Sequence, residues 1–139
     1  MRKLTICALT LSATAFTAAP ASAAVEVPAR AEKSAADSRS FYWDDLKVGD
    51  CHQYNGTLVL RSDGSATWSA TTTTDETTAF DIWHTDLYPK DQAGNVLFHA
   101  GEFDSQKMLP GRRYHWARDF RYDPAHYNRV SFVTQHSSC

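Results

Sequence analysis

"TLVLRSDGSATWSAT", residues 57–71, alternates apolar and polar side chains on either side of Asp63-Gly64. Leu58 and Leu60 share one side of the first arm, and Ala66, Trp68 and Ala70 share one side of the second. Period two marks a strand with one face buried, because successive side chains point to opposite faces. Asp-Gly tolerates positive φ at both positions, so the expectation is a β-hairpin closed by a two-residue type I′ turn.

The same reading extends outward. Asn55-Gly56, within an "NGT" sequon at 55–57, reads as a turn leading into the first arm. "TTTTDETT" at 71–78 either lengthens the second arm or forms an exposed loop. "AFDIWHTDLYP" at 79–89 reads as a strand ended by Pro89, with Phe80, Ile82, His84, Asp86 and Tyr88 on one face. "KDQAGN" at 90–95 turns and "VLFHA" at 96–100 returns. "LPGRR" at 109–113 places Pro110 and Gly111 at the centre of a type II turn. "YHWARDFRY" at 114–122 is a further strand. In "DPAHYN" at 123–128, Asp123 caps a single helical turn that opens on Pro124. "RVSFVTQH" at 129–136 closes the chain as its last strand. Six to eight short strands with regularly spaced turns give an all-β fold, a small antiparallel β-sandwich, with a small barrel as the alternative.

The amino terminus reads differently. Arg2 and Lys3, an apolar run over 4–19 and "ASA" at 21–23 form a secretory signal peptide cleaved after Ala23. That run is too short and too rich in Ala and Thr to span a bilayer. Residues 24–40, "AVEVPARAEKSAADSRS", show neither apolar period and read as a disordered linker. The single β domain then covers 41–139.

Of the three cysteines, Cys7 leaves with the signal peptide. Cys51 and Cys139 remain, and two cysteines in an exported chain form a disulfide by default. They stand 88 residues apart, unlike a Cys-x-x-Cys redox pair. Their role is read as structural.

Loss of Arg2 and Lys3 moves the formal charge from −2 to −4. An acidic chain argues against a nucleic-acid partner. The charge is unevenly spread: residues 105–139 hold five arginines and a lysine against two acids. Cross-strand pairing with acidic neighbours is one explanation. A face for anionic partners, such as cell-wall phosphate polymers, is the other.

The candidate ligand-binding residues are Trp43, Trp83 and Trp116, with Arg118 and Arg121 from the arginine-rich strand. Exposed indoles stack on sugars and anchor protein interfaces. Core packing is the competing reading, and Trp68, between Ala66 and Ala70, fits it well. Trp43, beside Asp44-Asp45, is the better candidate for exposure. "HTD" at 84–86 sets an imidazole and a carboxylate on one strand face. No second ligand pair at metal spacing accompanies it and "HExxH" is absent, so neither a metal nor another cofactor is assigned. Asp44 and Asp45 are adjacent and would face opposite ways on a strand, which removes them as a glycosidase pair. A "GxSxG" elbow and a phosphate-binding loop are also missing, and no catalytic residue is assigned.

"FYWDDLKVGDC", "TLVLRSDGSATWSA", "DPAHYNRVSF" and the final Cys139 together resemble a family of small secreted actinobacterial proteins that forms a domain of unknown function. The resemblance spans 41–139 and implies export and one disulfide, with no catalytic or ligand residues to transfer. The expectation is a secreted, non-catalytic binding module for a cell-surface glycan or protein. A small extracellular hydrolase using His and Asp, or an inhibitor or toxin-like protein, is the alternative.

Overall fold

The computed structural model describes residues 24–139; the expected signal peptide lies outside them. Ten strands follow one another: β1 (Val25–Pro28), β2 (Ala31–Ala35), β3 (Ser38–Tyr42), β4 (Leu46–Val48), β5 (Cys51–Arg61), β6 (Ser65–Thr74), β7 (His84–Lys90), β8 (Ala100–Asp104), β9 (Tyr114–Arg121) and β10 (Phe132–Ser138). A 3-10 turn, Pro124–Arg129, precedes β10, and Asp123 caps it by accepting from the Ala125 amide.

The strands form two antiparallel sheets packed together, and among the described residues there is no closed barrel. The smaller sheet runs β1-β10-β7-β8 and the larger β2-β3-β5-β6-β9, with β4 alongside β5. Leu58, Leu60, Ala66, Trp68 and Ala70 point inward from the larger sheet, and Leu87 and Val133 meet them from the smaller, with Trp83 just ahead of β7. Trp68 takes its space from the alanines beside it and meets Trp43 edge to face, ring centroids 5.4 Å apart. Cys51 on β5 and Cys139, just past β10, form the disulfide, with Cα atoms 6.2 Å apart. The bond therefore ties one sheet to the other.

The main hairpin forms as expected, with a different turn. The Gly64 amide donates to the Arg61 carbonyl (3.0 Å), and only Gly64 has positive φ (82°). This is a type I turn on Ser62-Asp63 followed by a left-handed glycine, and the Asp63 carboxylate secures it by accepting from the Ser65 amide and hydroxyl. The "DQAGN" turn repeats the arrangement, with Gly94 at φ 87° and the Asp91 carboxylate accepting from the Ala93 and Asn95 amides.

Three expectations need correction. Residues 24–40 are not a linker: they supply β1, β2 and the start of β3. β1 adds to the edge of β10, with Glu26 opposite His136. The Trp43 indole then donates to the Val27 carbonyl (3.0 Å), fixing this segment to the core. An edge strand is held by main-chain bonds and half-buried side chains, so its sequence need not show a clean apolar period.

Asn55-Gly56 is a bulge inside β5, not a turn ahead of it. The pairing with β6 shifts between Tyr54 and Thr57, and Asn55 adopts φ 54°. The extra residue lets Cys51 and Gln53 point inward together with Leu58 and Leu60.

The strand expected over 79–89 starts only at His84 and runs through Pro89 to Lys90. Pro89 lies opposite Val133, and its carbonyl accepts from the Leu97 amide (2.8 Å).

Candidate functional site

The expected binding tryptophans are inside. Trp83 is fully buried, and Trp43 and Trp116 are each 5% exposed. The Trp83 indole N–H donates to Thr85 Oγ1 (2.9 Å) and that of Trp116 to Thr72 Oγ1 (3.1 Å). An indole whose ring and N–H are both engaged in the core cannot stack on a ligand, so these three residues are corrected to core.

The two arginines part company. Arg118 stands opposite Trp68 on the inward side of β9, stacks over the Trp116 ring and donates to the Asp104 carbonyl on β8. It closes the gap between the sheets at that edge. Arg121 stands opposite Ser65 on the outward side. Neither arginine therefore pairs with an acid across the β6–β9 ladder, as cross-strand neutralisation would require.

Arg121 joins Arg61 on the open face of the larger sheet. Together with Ser65, Thr67 and Asp119 they line a depression of about 340 Å³. Among the described residues, neither guanidinium has a carboxylate within ion-pair distance. The nearby acids bond to hydroxyls: Asp119 accepts from Thr67 Oγ1 (2.7 Å), which in turn accepts from Arg61 (3.2 Å), and Asp63 accepts from Ser65 Oγ (2.6 Å). The Ser65 hydroxyl and amide, with both arginines adding a smaller effect, hold the Asp63 carboxyl below its ordinary range. Ser40, Thr57, Ser69, Thr71 and Thr73 continue the same face as a sheet of hydroxyls. Its aromatic groups are tyrosines. Tyr42 is 37% exposed, and Tyr54 lies between His52 and the Arg113 guanidinium, which sits 4.9 Å from its ring centre.

The open face of the smaller sheet is acidic and rich in histidine. His84 Nδ1 meets Asp104 Oδ1 (2.7 Å), His99 Nε2 meets Asp86 Oδ1 (2.6 Å), and His136 Nε2 meets Glu26 Oε2 (3.1 Å). Tyr88 stacks against His99 and packs on His136. The His136 hydrogen bond, with smaller help from Lys90, holds the Glu26 carboxyl below its usual range. His84 and Asp86 share a face as "HTD" implied, yet each finds its partner outside β7, on or next to β8. The β8 backbone bulges to allow this. Glu102 adopts φ 35° and its amide donates to Asp86 Oδ1 (3.2 Å), while a Cβ on Gly101 would lie 2.1 Å from that oxygen. His99, His136 and Glu26 were absent from the sequence-derived candidates. Only strand register brings them to Asp86, and that register cannot be read from one chain's periodicity.

The molecule is thus a one-disulfide β-sandwich with a hydroxyl-rich, arginine-bearing face on one side and a histidine–carboxylate face on the other. Over residues 57–139, more than half its length, it matches the family described as "Family of unknown function (DUF6294)", and the chain belongs to that family. No curated protein and no solved structure matches it. Among the described residues, no helix is long and apolar enough to cross a membrane.

Proposed function

We propose that this protein is an exported, non-catalytic binding module that holds an acidic glycan or wall polymer on the open face of its larger sheet. The resemblance to small secreted actinobacterial proteins supports the export part of this reading. One observation carries the reading: Arg61 and Arg121 flank the Ser65 position over a shared depression, and among the described residues neither has a carboxylate within ion-pair distance. Guanidinium groups recognise carboxylate and phosphate through paired N–H donors, and the surrounding hydroxyls suit a sugar's hydrogen bonds. Tyr42, exposed on that face, takes the stacking role first expected of tryptophan.

The test is binding of the purified protein to immobilised uronate- and phosphate-bearing polysaccharides, scored against neutral ones. Arg61→Gln and Arg121→Gln are each expected to weaken capture of the acidic polymers by about tenfold, the loss of one charge-assisted contact of about 1.5 kcal/mol. Added salt is expected to weaken it further, and the polymer is expected to be recovered uncut. Equal capture of neutral and acidic polymers, or indifference to both substitutions, would overturn the reading.

A further inference from the structure

On the opposite face, the geometry points to a binding site for a borderline divalent transition metal such as Zn²⁺, formed by His84, Asp86 and His136. The inference is independent of the glycan reading and uses none of its residues.

His84 and Asp86 are two apart on β7 and so point the same way, and His136 on β10 lies directly opposite Asp86. In an antiparallel pair, opposite residues have Cβ atoms about 5 Å apart and diagonal ones stand about 7–8 Å apart, within reach of imidazole side chains. All three line one concavity of about 120 Å³, together with Ser137 and Ser138. Two imidazoles and a carboxylate form a donor set suited to Zn²⁺ and its neighbours in the transition series.

Each ligand also has an outer partner that leaves one donor atom free. Asp104 engages His84 Nδ1, which leaves Nε2. Glu26 engages His136 Nε2, which leaves Nδ1. His99 and the Glu102 amide both engage Asp86 Oδ1, which leaves Oδ2. Metal-bound imidazoles regularly give their second nitrogen to a carboxylate in this way, which fixes the tautomer and raises ligand basicity.

Among the described residues, the one set of three donor atoms already within 4.8 Å of one another is Cys51, Asp81 and Cys139, and its sulfurs are used in the disulfide. The free donor atoms of His84, Asp86 and His136 lie further apart than that, so the ion has to draw them together, with Asp104 and Glu26 moving with the imidazoles they hold.

The test is calorimetric titration of the intact, disulfide-bonded protein with Zn²⁺ near neutral pH, with histidine ring ¹⁵N shifts recorded on the same samples. One ion per chain is expected, with the largest shifts at His84 and His136. His84→Ala, His136→Ala and Asp86→Asn are each expected to weaken binding at least about tenfold, and Asp104→Asn, outside the ligand set, about 10- to 100-fold. His52→Ala, on the other sheet, should leave it unchanged. Asp104→Asn also removes dependence on any ligand variant that fails to fold. No saturable binding, or binding lost equally in His52→Ala, would overturn the site.

Discussion

Gln53 on β5 and Gln135 on β10 face each other between the two sheets, both fully buried, each side-chain amide donating to the other's carbonyl oxygen at 3.2 and 2.6 Å. The pair fixes how the sheets align, because sliding one past the other would strand four polar groups in an apolar core. Gln135→Leu alone leaves the Gln53 amide unsatisfied and is expected to cost about 1–3 kcal/mol in denaturant unfolding. Gln53→Leu with Gln135→Leu should recover much of that loss, and a double-mutant cycle measures the coupling.

The disulfide joins β5 to the end of β10 across an 88-residue separation. Chain-entropy arguments give about 4.5 kcal/mol for a loop of that length, with measured losses of about 2–5 kcal/mol when such a bond is removed from a small domain. Cys51→Ser with Cys139→Ser is expected to lower stability within that range in denaturant titration. Cys51 and Cys139 should contribute no titratable thiol until the protein is unfolded and reduced.

All four tryptophans are buried, none more than 5% exposed. The native emission is therefore expected to be blue-shifted and poorly quenched by acrylamide. Saturating polysaccharide should leave it unquenched, because the proposed ligand face carries tyrosine and no tryptophan.

Acid should destabilise the fold. Hydrogen bonds from Arg39 and, less strongly, Ser34 hold the Glu32 carboxyl below its ordinary value of 4.5. A carboxyl depressed on folding adds stability that is present above the unfolded value and is lost as pH falls through the folded one. Unfolding free energy measured from pH 6 down to pH 2 should thus decline below about pH 4.5, and Glu32→Gln should flatten that decline. An unchanged slope in the variant would assign the acid sensitivity to other carboxyls.

Side-chain chemistry that acts locally was legible in the sequence. The Leu58/Leu60 and Ala66/Trp68/Ala70 alternation gave the hairpin, Asp123-Pro124 gave the capped turn, and Cys51 with Cys139 gave the crosslink. Features set by distant neighbours were not. Val25 and Val27 alternate in "AVEVP", but four residues carry too little pattern to declare a strand without β10 beside them. The tryptophans were misjudged for a related reason: burial depends on what packs from the facing sheet, and Trp43 is covered by Trp68 and anchored by Val27. The basic depression was half visible, through Arg121, whereas Arg61 joins it only because β5 and β9 flank β6. The histidine–carboxylate face was visible at "HTD" alone, since its other members come from three separate segments.

The extra residue at Asn55-Gly56 works as a spacer in the reading frame of β5. Upstream of it the inward positions are odd-numbered, and downstream they are even-numbered. Deleting a single residue there would turn the first half of the strand inside out, sending the Cys51 sulfur to the solvent side while Cys139 stayed within. One kink in one strand thus decides whether the covalent tie between the sheets can form at all.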